Sequence, residues 1–321
     1  MTTAGRRDGA ASLPLQPVAL LPCPDYGPER LQGAVARLMA ALDFRVAPGS
    51  RVLLKPNLVA SGRRDGLACT NPDFVAAVAS WFLAQGARVA VGDSPAFGSA
   101  RGVMAKCGMT AALAGLPVEL VNFDRVRPVR LAHGFTVGMV SAALECDLLV
   151  NLPRIKAHGQ TLVSLAVKNY FGTVKGFRKA LIHNRYGQEP EIFARLLVDL
   201  LAVLPPGISL ADGVVAMHRN GPTSGEPFPL GLVAAARNPV ALDNALLAVL
   251  GIDPARSLLW RECARRGLPG TDLAERAFPL SAPATVARPD FKVPTEAAPL
   301  TFNLWRLCRG GLKRLSHRLL P

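Results

Sequence analysis

Residues 147–158 read Asp-Leu-Leu-Val-Asn-Leu-Pro-Arg-Ile-Lys-Ala-His, a continuous apolar run that gives way to polar and basic residues. A strand buried on both faces has this texture, because neither face carries polar side chains until the chain leaves the sheet. The pattern recurs at Arg51–Leu54 running into Lys55-Pro56-Asn57 and at Arg88–Val91 running into Gly92-Asp93-Ser94-Pro95. It recurs again at Ile208–Leu210, which runs into Ala211-Asp212-Gly213. Pro17–Leu21, Val118–Val121 and Leu230–Ala235 complete the expected strands, and helices are expected near 29–42, 73–85, 99–114, 190–204, 239–249 and 256–266. Asn71-Pro72 and Asn238-Pro239 each supply an N-cap side chain followed by a proline suited to the first helical position. Strand–helix alternation predicts an α/β fold with a mainly parallel central sheet covered by helices.

Around this unit, expected to span 15–270, lie a disordered start over 1–14 and a different texture over 271–321. There Pro279, Pro283, Pro289, Pro294 and Pro299 interrupt regular structure, so an extended segment lying on the domain is expected. Phe302 to Pro321 follows as a basic amphipathic tail, with Arg306, Arg309, Lys313, Arg314 and Arg318 among leucines and no acid. The tail is expected to pack on its own domain or make weak contact with a membrane surface.

The chain has 321 residues, of which 50% are hydrophobic, and its mean hydropathy is +0.25, which excludes a disordered protein. Lys and Arg outnumber Asp and Glu by 37 to 23, a formal charge of +14, so anionic partners are expected. Only 6% of residues are aromatic, which disfavours a nucleic-acid binder that stacks bases. No uncharged run reaches the roughly 20 residues of a membrane span, and a cytoplasmic location is expected. Cys23, Cys69, Cys107, Cys146, Cys263 and Cys308 are too widely spaced for a zinc or iron–sulfur motif and read as reduced, mostly buried thiols.

Four polar turns after buried strands point to one shared site, since ligands of open α/β sheets collect at the strand carboxyl ends. Between Asp147 and Glu189 the chain holds Arg154, Lys156, His158, Lys168, Lys175, Arg178, Lys179, His183 and Arg185 without a carboxylate. A solvated basic face is one reading of this stretch. An anion site is the other, favoured because Lys168 stands inside the apolar run Thr161–Phe171 and Gly172, Gly176 and Gly187 allow close backbone approach. Asp93 and Asp212 add negative charge to the same rim, where they could hold a divalent cation, accept a proton, or pair with Lys55 and Lys156. HExxH, GxxxxGK[ST] and GxSxG are absent, which argues against zinc proteolysis, Walker-type NTP hydrolysis and the α/β-hydrolase elbow.

Several ordered motifs resemble the domain-of-unknown-function 362 family. They are Lys55-Pro56-Asn57-Leu58-Val59, Thr70-Asn71-Pro72, Gly92-Asp93-Ser94-Pro95, Asn151 through His158 and Ala166 through Gly172. Asp212-Gly213, Gly221 through Gly225 and Asn238 through Asp243 extend the resemblance, which covers about residues 50–270. It implies weight on Lys55, Asn57, Asp93, Lys156, His158, Lys168, Asn169, Asp212 and Asp243 without assigning roles. Many members carry a fused ferredoxin-like segment with two iron–sulfur clusters, which tilts expectation towards oxidoreductase chemistry. This chain lacks clustered cysteines, so such a role calls for a separate redox partner, and no cofactor is specified.

The leading expectation is an enzyme acting on a small carboxylate or phosphate. His158, Lys156, Asp93 and Asp212 are its expected catalytic residues, and Lys55, Asn57, Ser94, Asn151, Lys168 and Asn169 its expected ligand-binding residues, with no metal. The alternatives are a redox protein or iron–sulfur partner, and a non-catalytic binder of an anion, nucleic acid or a membrane surface.

Overall fold

The computed structural model describes residues 16–59, 66–95, 98–175 and 189–295. The expectations placed on residues 1–14, on Gly176, Arg178, Lys179, His183, Arg185 and Gly187, and on the tail from Phe302 lie outside the described residues.

In chain order the strands are β1 (Ala19–Pro22), β2 (Arg51–Pro56), β3 (Arg88–Asp93), β4 (Val118–Asn122), β5 (Val126–Arg130) and β6 (Thr136–Val140). They continue with β7 (Leu148–Leu152), β8 (Arg154–His158), β9 (Leu162–Ser164), β10 (Gly207–His218), β11 (Glu226–Phe228) and β12 (Leu232–Ala236). The principal helices are α1 (Pro28–Ala41), α2 (Pro72–Ala84), α3 (Ala100–Lys106), α4 (Met109–Ala112) and α5 (Ser141–Glu145). After them come α6 (Ala166–Asn169), α7 (Pro190–Asp199), α8 (Pro239–Val249) and α9 (Leu258–Arg265).

The central sheet has the order β1-β12-β10-β7-β2-β3-β4. From β10 to β4 every neighbour is parallel, whereas β12 runs antiparallel to both β10 and β1. The fold is therefore α/β with a mainly parallel sheet and an antiparallel edge. One face packs Leu31, Leu38, Phe74 and Phe82 of α1 and α2 onto Leu54, Val91 and Leu210. A second core joins α8 to β12, and a third joins α7 to α9.

Three local findings differ from the expected elements, each for a physical reason. The helix expected over 99–114 splits into α3 and α4 because Gly108 adopts a left-handed φ of +84°. The strand expected to end near Ala211 continues to His218, so Asp212 lies inside β10 rather than in a turn after it. Likewise 154–158 is itself a strand, β8, which pairs with the second half of β10 after β7 has paired with the first. Its Arg, Lys and His side chains are all buried, so polar composition there marks partnered groups rather than exposure.

The irregular stretch after residue 271 runs along the domain. Val18, Arg219 and the Val249 carbonyl hold it through Ala277, Lys292 and Arg288 at 2.9, 2.7 and 2.6 Å. Phe291 is buried against Phe228 and His218.

Candidate functional site

Strand register builds the site. Lys55 on β2 stands opposite Asn151 on β7, which stands opposite Ser209 on β10, so three polar side chains form one row across the sheet. Asn151 donates to Ser209 Oγ at 3.1 Å and to the Ala166 carbonyl at 3.0 Å, and accepts from Asn169 Nδ2 at 2.8 Å. Asn169 Oδ1 in turn accepts from Asn57 Nδ2 at 2.9 Å, and Asn57 Oδ1 accepts from Lys156 Nζ at 2.5 Å. An amide relay thus links Ser209, Asn151, Asn169 and Asn57 to Lys156.

Lys55 is wholly buried and its ammonium lies 2.9 Å from Asp93 Oδ1. Asp93 Oδ2 accepts the Leu58 amide at 2.8 Å, which ties the end of β3 to the turn after β2. Burial pushes the Lys55 ammonium below its ordinary pKa, and Asp93 opposes that shift. The backbone of Gly172 closes over this pair: a Cβ there would stand 2.2 Å from Asp93 Oδ1 and 2.2 Å from Lys55 Nζ. Glycine is required by that approach. Ser94 follows Asp93 and is also buried.

Lys156 differs from Lys55 in its acceptors. It is 1% exposed, and its hydrogen bonds go to Asn57 Oδ1 and, at 2.8 Å, to the Ala68 carbonyl, both neutral. Burial pushes its pKa down to about 8.

Asp212 is engaged elsewhere. Its carboxylate pairs with Arg154, accepts Tyr26 Oη–H at 2.8 Å and accepts the Asn71 amide at 2.8 Å. Arg154 also donates to Tyr26 Oη at 2.7 Å. The expected pairing of Asp212 with Lys55 or Lys156 is corrected here: its cation is Arg154, because the two are opposite in the β8–β10 register. The Asp212 oxygens are thus engaged by a guanidinium, a phenol and an amide, which ties β8, β10 and the start of α2 together.

His158 and Lys168 lie in surroundings of their own. His158 is buried, and its Nδ1 accepts the amides of Gln160 and Thr161 at 3.1 and 3.3 Å, which fixes the β8–β9 turn. Lys168 is 9% exposed and sets its ammonium 4.9 Å from the Phe171 ring centroid and 5.7 Å from that of Phe193 on α7. One residue of helix turns the side chain by about 100°, so Lys168 faces α7 while Asn169 reaches the relay. Asp243 caps α6 by accepting the Ala166 and Val167 amides at 2.7 and 3.1 Å, and burial raises its pKa to about 7.

Sequence reasoning missed Tyr26, Ser209 and Arg154 as partners, and Thr70 as a strut. Thr70 Oγ accepts the Asn57 amide at 2.8 Å and donates to the Leu152 carbonyl at 2.6 Å. The adjacent Asn71-Pro72 helix start was the available signal, since it puts the preceding residue at the mouth of the sheet.

The fold and this geometry define a class: an α/β protein with buried lysines, amides and an aspartate gathered where parallel strands end. A family model described as Domain of unknown function (DUF362) matches residues 52–248, and the chain belongs to that family. It is 38% identical over 275 residues to the thylakoid-associated protein sll1697 of Synechocystis sp., a match covering 85% of each chain. Among solved structures it is similar to the lactate racemase apoprotein from Thermoanaerobacterium thermosaccharolyticum, at 13% identity and a TM-score of 0.44. That match covers 72% of this chain and 57% of the racemase chain. Among the described residues no helix is long and apolar enough to cross a membrane.

Proposed function

We propose that this DUF362 member is a cytoplasmic enzyme acting on a small anionic metabolite, a carboxylate or a phosphate, held by Lys156. The observation that carries the reading is a fully buried ammonium whose hydrogen-bond acceptors are both neutral. A buried charge whose hydrogen-bond acceptors are neutral is costly, and a ligand oxygen replacing the Asn57 or Ala68 acceptor supplies an anionic one. Burial lowers Lys156 to about 8 and a bound anion opposes that shift, so Lys156 holds the ligand as an ammonium while Asn57 and Asn169 orient it. The Lys55–Asp93 pair holds the turn on which Asn57 and Leu58 sit.

The test is thermal-shift and calorimetric titration with a panel of small carboxylates and phosphate esters. Wild-type protein is expected to bind at least one, and Lys156→Met to lose that binding with its melting temperature little changed. Equal binding by Lys156→Met, or no binding by wild type, overturns the reading.

A second reading is favoured by the thylakoid-associated relative and by the basic tail: peripheral attachment to an anionic membrane. Flotation with liposomes containing anionic lipid tests it, since removal of residues 302–321 is expected to abolish binding. A redox role beside a separate iron–sulfur partner is the remaining alternative, and an iron assay on anaerobically copurified complexes distinguishes it.

A further inference from the structure

Five ionisable side chains at the site are at most 4% exposed: Lys55, Asp93, Arg154, Lys156 and Asp212. Two of the three cations are matched within the protein. Lys55 holds Asp93 at 2.9 Å, and Arg154 pairs with Asp212. Lys156 lies between these pairs. Along β8 it is two residues from Arg154, and its ammonium donates at 2.5 Å to Asn57, which is two residues beyond Lys55. Three positive charges against two negative leave this buried group with one positive charge in excess.

The other titratable side chains described around it do not cancel that excess. His158 Nδ1 accepts the Gln160 and Thr161 amides, so that nitrogen bears no proton and the ring is uncharged. The Cys69 thiol donates to the Val59 carbonyl at 3.4 Å. Lys168 sets its ammonium against the Phe171 and Phe193 rings, towards α7. Asp243 is engaged by the Ala166 and Val167 amides at the start of α6.

We propose that the Lys156 site discriminates by charge, taking a ligand group with one negative charge, a carboxylate, and excluding the dianion of a phosphate monoester. This rests on the anion reading above and narrows it. One negative charge beside Lys156 brings the buried group to neutrality. A dianion turns the excess of one positive charge into an excess of one negative charge, in surroundings from which water is excluded. A carboxylate, with an ordinary pKa of about 4, carries its single charge throughout the neutral range. A phosphate monoester, with a second pKa of about 6, is mainly a dianion there.

The experiment is calorimetric titration of the full chain with ligands matched in shape and different in charge. Methyl sulfate is set against methyl phosphate and phenyl sulfate against phenyl phosphate, with acetate and benzoate as the carboxylates. At pH 7.5 the singly charged sulfate ester and carboxylate of at least one size are expected to bind, and the matching phosphate ester about tenfold more weakly or not at all. At pH 5.5 the phosphate ester is mostly a monoanion, and the gap is expected to shrink to within about threefold. Cys69 is the other group within electrostatic reach of Lys156 that could carry a negative charge, and Cys69→Ser is expected to leave these affinities unchanged.

The proposal is overturned, with the anion reading left standing, if the phosphate dianion binds as tightly as the sulfate ester at pH 7.5. It is equally overturned if Cys69→Ser gains anion affinity, since the counter-charge of Lys156 is then a Cys69 thiolate. Binding of none of the six ligands, or binding that survives Lys156→Met, overturns the anion reading and this inference with it.

Discussion

Arg154 and Lys156 stand two residues apart on β8, and both side chains are buried, yet their surroundings are opposite in kind. Arg154 meets a carboxylate and a phenol and forms a charge-balanced group with Asp212 and Tyr26. Lys156 meets one amide oxygen and one carbonyl. The first arrangement completes itself within the protein and reads as an anchor joining β8, β10 and the start of α2. On the function proposed above, the second is completed by the anionic ligand. Adjacent basic residues on one strand can therefore have different purposes, and the acceptor set distinguishes them.

The largest effect is expected at the anchor. Asp212→Ala leaves Arg154 buried without its counter-charge, and urea denaturation is expected to register a loss of about 3–5 kcal/mol. If Asp212→Ala costs less than Lys156→Met, the contrast between the two residues is broken.

A smaller effect is expected at Gly172, where an added methyl meets Lys55 and Asp93. Gly172→Ala is expected to destabilise by about 1–3 kcal/mol through overpacking. Lys55→Met at the same spot removes the cation from Asp93, and the double variant should lose less than the sum of the two singles.

Lys156→Met is expected to shift stability by less than about 1.5 kcal/mol, because an apolar chain of similar volume replaces a buried charge held by neutral acceptors. Its sign depends on pH. Between about 8, the folded value, and the ordinary lysine value of 10.5, the unfolded chain binds the extra proton. Wild-type stability attributable to this group therefore rises with pH across that window, and the rise vanishes in Lys156→Met. Denaturation midpoints at pH 7.5 and 10 read this difference directly.

A second pH-dependent effect, of opposite sign, belongs to Asp243. Its folded pKa of about 7 exceeds the ordinary 3.8, so between these values the native chain holds the extra proton and stability falls as pH rises. Asp243→Asn is expected to remove that slope while weakening the α6 cap slightly.

Much of this molecule was legible before its structure. The apolar runs at 51–54, 88–91 and 147–150 could only be buried strands, and they placed Lys55, Asp93 and Asn151 at one end of a sheet. Strand β8 was hidden because hydropathy equates Arg, Lys and His with exposure, whereas here each is buried and partnered. The Arg154–Asp212 pair joins residues 58 apart and depends on strand register, which no local pattern carries. The apolar neighbours of Lys168 signalled its burial correctly but not the side of α6 on which it lies.

A crystal structure of the full chain soaked with the tightest-binding carboxylate or phosphate ester tests the central claim most directly. The account predicts an anionic ligand oxygen within about 3 Å of Lys156 Nζ, with Arg154 still on Asp212. An anion bound elsewhere, with Lys156 still directed at Asn57 and Ala68, would contradict it.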